Sequence, residues 1–200
     1  LSLHDALPIY IQHLMRSIEI APLFNSNIVR LFSFWKDENI DDKKWDHVFA
    51  KMELPIKIAE REGIILGFEN VSSGNIGTSA DLVRLFEHFD SPNLKLIWDP
   101  GNAYAAGDTD PSPSGYQHVK DHIIHVHVKD VDFIDGKRVW LPVGAGQIDY
   151  EAHLHALQHD NYNGVIALET HFRLPGDNGI KSTKKSYEGL MQILHSIKQN

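Results

Sequence analysis

Four strand-like segments of this sequence each end on a side chain that could bind a metal ion: Glu69, Asp99, His127 and Glu169. Each of these residues follows an apolar run, and enough chain separates one from the next for a crossover helix. Carboxylates and histidines at the ends of successive parallel strands converge when the sheet curls into a barrel. Three carboxylates and one imidazole form an oxygen-rich site. Such a site suits one divalent cation, Mn²⁺, Mg²⁺ or Co²⁺, with Zn²⁺ as a further option.

Strand and helix patterns alternate along the whole chain. The predicted strands cover residues 27–35, 64–69, 94–98, 123–128 and 164–168. Each strand is followed by a helical pattern, and this alternation predicts an α/β fold with a parallel sheet. We identify no hairpin signal in the sequence.

Two regions are expected to lie at the surface. Residues 102–114 are rich in Gly, Ala, Asp and Pro and are expected to form an exposed, mobile loop. His153, His155 and His159 fall on one predicted helix and are expected on its solvated faces. His155 and His159 have i,i+4 spacing, but without a third ligand no second metal site is expected there.

Size and composition restrict the class of protein. Two hundred residues make one domain, and 42% of them are hydrophobic, which is enough for a buried core. The net charge of -8, from 19 basic and 27 acidic residues, argues against nucleic-acid binding. The absence of cysteine excludes disulfides and thiolate metal sites. No apolar run approaches the roughly 20 residues of a membrane span, so no membrane partner is expected and a cytoplasmic location is the default.

Five motifs, in order along the chain, together resemble one known superfamily. They are EN (69–70), DPGN (99–102), HVHVKD (125–130), PVGAGQID (142–149) and ETH (169–171). The sequence resembles the xylose isomerase-like TIM-barrel superfamily, and most of all its sugar phosphate isomerase/epimerase members. The resemblance implies a partial (β/α)8 TIM barrel in a single domain over residues 1–200. About five of the eight parallel strands, the fourth to the eighth, would be present. We therefore expect an N-terminally truncated member whose residues 1–9 are suspected to be non-native.

The same resemblance assigns the metal ligands and the catalytic residues. By motif, the four ligands are Glu69, Asp99, His127 and Glu169. Glu69 and Glu169 would also be the catalytic acid/base pair that moves the substrate proton.

Four further residues are predicted to bind substrate. Asn102 stands three residues after Asp99, where some relatives carry a histidine that contacts substrate. His125, Lys129 and His171 share the inward faces of their strands with the predicted ligands. The alternatives are an ordinary salt bridge for Lys129 and structural packing for His171.

The function implied is a divalent-metal-dependent isomerase or epimerase of a small sugar, sugar phosphate or keto-polyol, acting by proton transfer through an enediolate. The alternatives are an inosose-type dehydratase on the same site and a catalytically inactive fragment. An endonuclease IV-like phosphodiesterase is disfavoured by the acidic charge balance and by Asn102. Self-association is expected through the open sheet edges at residues 27–35 and 164–168, because a partial barrel leaves them unpaired.

Overall fold

The computed structural model describes residues 3–36 and 43–197. The helices are α1 (Leu3–Ile20), α2 (Lys44–Glu62), α3 (Ser79–His88), α4 (Pro100–Ala106), α5 (Tyr116–Val119), α6 (Tyr150–His159) and α7 (Ile180–Ile197). The strands are β1 (Ile28–Phe32), β2 (Ile65–Glu69), β3 (Leu94–Trp98), β4 (Ile123–Val128), β5 (Asp130–Ile134), β6 (Lys137–Leu141) and β7 (Val165–Leu168). None of these helices is both long and apolar enough to cross a bilayer.

Five parallel strands form the main sheet, in the order β1-β2-β3-β4-β7. Each parallel connection passes through at least one helix, as a parallel pair requires. The half-barrel predicted from the sequence is therefore confirmed. In the described part of the chain, β1 and β7 each pair with one neighbour and leave one edge unpaired.

The core lies between this sheet and its helices. Side chains alternate across each strand, so Leu66 and Phe68 of β2 share one face and are fully buried with Leu96 of β3. Met52 of α2 and Leu82 of α3 are fully buried in the same apolar cluster. The opposite strand face carries Glu69, so the packing that buries one face also fixes the direction of the candidate ligands.

A β-hairpin interrupts the helix–strand alternation, so the prediction of no hairpin was wrong. Antiparallel strands β5 and β6 are joined at Asp135 and Gly136, whose φ angles are 51° and 73°. Two successive positive φ angles are typical of a type I′ turn, and Asp-Gly is one of its preferred dipeptides. The signal was therefore present in the sequence and was overlooked.

The expectation of an exposed loop over residues 102–114 was wrong in part: residues 107, 109, 110, 113 and 114 are exposed, but the segment begins inside a helix and contains buried residues. The chain enters α4 directly after Asp99, whose Oδ1 accepts a hydrogen bond of 2.8 Å from the backbone N–H of Asn102. Pro100 follows at the first helical position, which its fixed φ favours. Residues 100–103 are buried, and Ser112 is only 6% exposed.

One of the three α6 histidines contradicts its predicted exposure. His153 is fully buried, with the ring of Tyr116 at 5.2 Å in an edge-on arrangement. His155 and His159 are exposed, as predicted. The apolar stripe of α6 at Tyr150, Leu154 and Leu157 includes position 153, and that spacing explains the burial.

Candidate metal centre

The carboxyl ends of four parallel strands bring the predicted ligands together. Glu69 ends β2, Asp99 follows β3, His127 lies in β4 and Glu169 follows β7. One ligand atom from each residue lies within 4.8 Å of the other three. Opposite oxygen ligands of a divalent ion are separated by about 4 to 5 Å, so the spacing is compatible with a shared cation.

His127 occupies the middle of the cluster. Its Nδ1 lies 3.2 Å from Glu69 Oε1, 3.7 Å from Asp99 Oδ2 and 3.7 Å from Glu169 Oε2. Burial alone would lower the pKa of His127, but the carboxylates of Asp99 and Glu69 outweigh burial and raise it to about 9. The cluster therefore favours positive charge at this point.

Lys129 provides one internal counter-charge to the carboxylates. Its Nζ lies 2.8 Å from Asp99 Oδ2 and 2.5 Å from Glu169 Oε2, and its side chain is only 3% exposed. Burial would lower the pKa of Lys129, but Asp99 and Glu169 raise it above its ordinary value. The predicted strand-end lysine thus joins two of the four candidate ligands.

Arg30 provides a second counter-charge, and sequence reasoning missed it. Its Nε–H donates a hydrogen bond to Glu69 Oε2, and Glu69 is only 1% exposed. A buried carboxylate without such a partner would be costly. The only signal in the sequence was a lone arginine inside an apolar strand. Its position beside Glu69 follows from the parallel register in which Phe32 pairs with Glu69.

The two glutamates differ in access to solvent. Glu169 is 34% exposed, whereas Glu69 is almost fully buried. His171 Nε2 lies 3.6 Å from Glu169 Oε2, and this contact together with the hydrogen bond from Lys129 holds the pKa of Glu169 well below its usual range. Glu169 therefore offers an ionised carboxylate that a small molecule can reach.

Asn102 and Asn70 form hydrogen bonds with the residues around two candidate ligands, Glu69 and Asp99. The amide of Asn102 donates to the backbone oxygen of Asn70 at 2.8 Å and to Glu69 Oε1 at 3.4 Å. Asn70 accepts the Asp99 N–H at 2.9 Å and donates to the Asp99 carbonyl at 2.8 Å. These bonds tie the ends of β2 and β3 together and fix the orientations of Glu69 and Asp99.

The remaining predicted substrate residues border the cluster. The ring of His125 lies 5.2 Å from that of His127, and burial, followed by the charge of His127, lowers the pKa of His125. His171 is 40% exposed, and its ring contacts Trp140 of β6 at 4.9 Å. Trp140 was not predicted, because its place beside the cluster depends on the overlooked hairpin.

The residues at the cluster fit a divalent metal ion. Three carboxylates converge on one point, and apart from its ion pair with Lys129 the buried Asp99 Oδ2 accepts no hydrogen bond of regular geometry. Oxygen ligands with one imidazole match the preferences of Mg²⁺, Mn²⁺ and Zn²⁺ without selecting among them. The structure thus contains a possible four-residue metal site.

Asp130 fixes the hairpin at the border of this site. Its Oδ2 accepts backbone hydrogen bonds from Gly144 at 2.9 Å and Gly146 at 3.0 Å, and its Oδ1 accepts one from Ile148 at 3.2 Å. A Cβ on Gly146 would lie only 2.3 Å from Asp130 Oδ1, so the turn needs glycine there. The aspartate of the HVHVKD motif therefore anchors the turn of the PVGAGQID motif.

An arc of parallel strands with candidate metal-ligand side chains at its carboxyl ends defines a protein of the TIM-barrel class. The model of the xylose isomerase-like TIM barrel family matches residues 9–192, and the chain belongs to this family. The resemblance inferred from the five motifs is thereby confirmed.

Curated relatives match most of the chain at low identity. An uncharacterized protein of Methanocaldococcus jannaschii is 29% identical over 184 residues, which cover 90% of this chain and 58% of the relative. The inosose dehydratase of Salmonella typhimurium strain LT2 is 27% identical over 173 residues, or 78% of this chain and 56% of the enzyme. The chain thus spans little more than half the length of these relatives.

Solved structures share the fold. A D-tagatose 3-epimerase-like protein superposes with a TM-score of 0.78 at 25% identity, over 100% of this chain and 73% of the other. A protein with a bound zinc atom gives a TM-score of 0.75 at 18% identity, over 94% of this chain and 69% of the other. A Mycobacterium smegmatis protein in complex with magnesium gives 0.67 at 21% identity, over 92% and 66% of the two chains.

Proposed function

We propose that this protein is a divalent-metal-dependent isomerase or epimerase of a small sugar, sugar phosphate or keto-polyol. The observation that carries the proposal is the convergence of Glu69, Asp99, His127 and Glu169 within 4.8 Å. The epimerase-like structural neighbour supports the isomerase or epimerase class. Because the chain spans little more than half of its curated relatives, the activity of these 200 residues is part of the proposal.

The four clustered residues would hold the cation, and neighbours with zinc or magnesium support a divalent ion. When bound, such an ion supplies Lewis-acid stabilisation to the oxyanion that develops on an α-hydroxy carbonyl substrate. With neutral histidines, the site would carry a net charge of one positive: the three carboxylates are balanced against Lys129, Arg30 and a divalent ion. That balance suits a substrate that gains one negative charge when it loses a proton.

The proposed roles of the two glutamates follow from their environments. Glu169 is 34% exposed and ionised, so it would take the proton from the carbon next to the carbonyl. Glu69 lies on the other side of His127 from Glu169. It would act as the partner acid or base on the opposite face of the substrate. It is held in place by Arg30. General acid–base catalysis of this kind contributes about 10²–10⁴-fold to a rate.

The other predicted site residues would orient substrate and ligands. Lys129 would hold Asp99 and Glu169 and donate to a substrate oxygen as the proton moves. His125 and His171 border the cluster and would contact substrate hydroxyls. Asn102 was predicted to contact substrate, and its bond to Glu69 also suits it to holding that ligand.

Hydrogen–deuterium exchange tests this proposal directly. Protein with Mn²⁺ or Mg²⁺ is incubated in D₂O with a panel of ketoses and inososes, and NMR follows deuterium uptake next to the carbonyl. Glu169→Gln should slow the exchange by about 100-fold or more. The matched control is Glu188→Gln, which neutralises a carboxylate that is 57% exposed on α7. Equal exchange by wild type and Glu169→Gln, or no uptake with any substrate, would refute the proposed role.

A dehydratase is the second candidate, because curated relatives include inosose dehydratases. The first step, removal of a proton next to a carbonyl, is common to both reactions. They diverge when hydroxide leaves the neighbouring carbon. Mass spectrometry separates them, because the dehydratase product is lighter by one water and the isomerase product has the mass of the substrate.

A further inference from the structure

The β5–β6 hairpin extends from the candidate metal centre across the loops that follow β2 and β3. Its strand β6 carries Arg138 and Trp140 two residues apart, so both side chains lie on one face of the hairpin. On the same face, the ring of Phe133 contacts Tyr104 of α4 at 5.9 Å. This face therefore packs towards the carboxyl ends of the parallel strands, where the candidate ligands lie.

Arg138 is held in place from two sides. Its guanidinium lies 5.3 Å from the centre of the Trp140 ring, and its Nη1 donates a hydrogen bond of 3.0 Å to Ser72 Oγ in the loop after β2. The same indole ring lies 5.5 Å from Lys129 Nζ. Trp140 thus links an exposed guanidinium to the ammonium group inside the candidate metal centre.

The guanidinium of Arg138 has unused hydrogen-bonding capacity. Five N–H groups project from a guanidinium, and the Ser72 bond is the one hydrogen bond that Arg138 donates to the described residues. The side chain makes no ion pair with a described carboxylate, although the chain carries 27 acidic residues. An arginine fork that pairs with none of the carboxylates in the described residues and is held over an aromatic ring is suited to a planar or tetrahedral oxyanion.

We propose that Arg138, held over the ring of Trp140, determines specificity by receiving an anionic group of the substrate, a phosphate or a carboxylate. The inference rests on the proposed function, because the reacting α-hydroxy carbonyl would lie at the metal-ligand cluster. The anionic group would lie on the side of the carbonyl away from the reacting hydroxyl, under the hairpin. The substrate class is therefore an anionic sugar derivative instead of a neutral sugar.

Three α-hydroxy ketones test the proposal. Dihydroxyacetone is neutral, dihydroxyacetone phosphate adds a phosphate, and hydroxypyruvate adds a carboxylate. Calorimetry in the presence of Mg²⁺ measures the affinity of the 200-residue chain for each compound. We expect wild type to bind an anionic compound more tightly than dihydroxyacetone. Arg138→Gln should weaken the affinity for that anionic compound by roughly 10- to 100-fold and leave the affinity for dihydroxyacetone unchanged. Whether the phosphate or the carboxylate compound loses affinity identifies the anionic group.

Two variants sharpen the comparison. Lys137→Gln removes a neighbouring positive charge from the opposite face of β6 and should leave every affinity unchanged. Arg138→Lys keeps the charge without the fork and should retain part of the preference. Equal losses for neutral and anionic compounds in Arg138→Gln, or equal losses in Lys137→Gln and Arg138→Gln, would overturn the proposal.

Metal binding is measured separately. Titration of Mg²⁺ and Mn²⁺ into each variant reports on the four-residue cluster, and Arg138→Gln should leave both affinities unchanged. If wild type binds no divalent ion, the proposed function fails. In that case the role of Arg138 is still decided by titration of inorganic phosphate without metal. The affinity of the protein for phosphate must fall in Arg138→Gln and not in Lys137→Gln. If metal binds and Arg138→Gln has no effect on anions, only the anion site is refuted.

Discussion

Replacement of Lys129 by methionine should destabilise the metal-free protein more than any surface substitution. The ammonium group is 3% exposed and lies 2.8 Å from Asp99 Oδ2 and 2.5 Å from Glu169 Oε2. Methionine preserves most of the volume of lysine and removes the charge. The carboxylate of Asp99, which is fully buried, would then lose its nearest cation. Removing one partner of a buried ion pair costs about 3–5 kcal/mol.

Thermal unfolding measures this cost. For a domain of this size, 1 kcal/mol corresponds to roughly 2–4 °C in Tm, so Lys129→Met should melt about 6–20 °C below wild type. The control is Lys184→Met, which removes an ammonium group that is 75% exposed and 3.8 Å from Glu188. An exposed pair contributes at most about 1 kcal/mol, so the control should melt within roughly 4 °C of wild type.

A divalent cation should then reduce the difference between Lys129→Met and wild type. The cation supplies positive charge to the same carboxylates, and an ion at about 100 times its Kd adds about 2.7 kcal/mol to folding stability. The reasoning is refuted if Lys129→Met melts with wild type in the presence of a chelator. It is also refuted if saturating Mg²⁺ or Mn²⁺ stabilises the variant less than it stabilises wild type.

Two other properties of the chain can be predicted with similar precision. Burial lowers the pKa of His153 from about 6.5 to about 4. As the pH falls between these values, His153 is protonated in the unfolded chain and stays neutral in the folded protein. Stability should therefore be complete above pH 6.5 and decrease by roughly 3 kcal/mol towards pH 4, and His153→Leu should flatten that dependence where His155→Leu does not. The open edge of β7, where Val165 is 58% exposed, should cause concentration-dependent association in sedimentation experiments, and Val165→Lys should reduce it. Monomeric sedimentation of wild type at every concentration would contradict that prediction.

Local patterns were sufficient to predict the strands and the carboxylate and imidazole side chains at their ends, whereas the choice of His127 over His125 as candidate ligand came from the family resemblance. An apolar run that stops at Glu69 or Asp99 indicates a buried strand and also the direction of the charged side chain. The alternation of strands and helices then places all strand ends on one rim. No pair of distant residues had to be recognised for this inference.

The counter-charges and the outer wall of the site could not be predicted in the same way. Arg30 approaches Glu69 only through the pairing of β1 with β2, which a single sequence does not specify residue by residue. Trp140 and Arg138 depend on the fold of the hairpin over neighbouring loops. The Asp135-Gly136 turn could have indicated the hairpin, but not which loops it would cover.

The two glutamates of the candidate site differ in their positions in the sheet, and this difference makes one carboxylate tightly held and the other accessible to solvent. Glu69 lies on an inner strand, where Arg30, His127 and Asn102 all contact its carboxylate and leave it almost no exposed surface. Such a carboxylate is preorganised to hold an ion. Glu169 follows the edge strand β7, where about a third of its side chain remains open beside His171. Because exchange of a proton with substrate requires contact, the edge position suits Glu169 to taking the proton first, and the enclosed position holds Glu69 in a fixed geometry for its proposed part as ligand and partner acid or base.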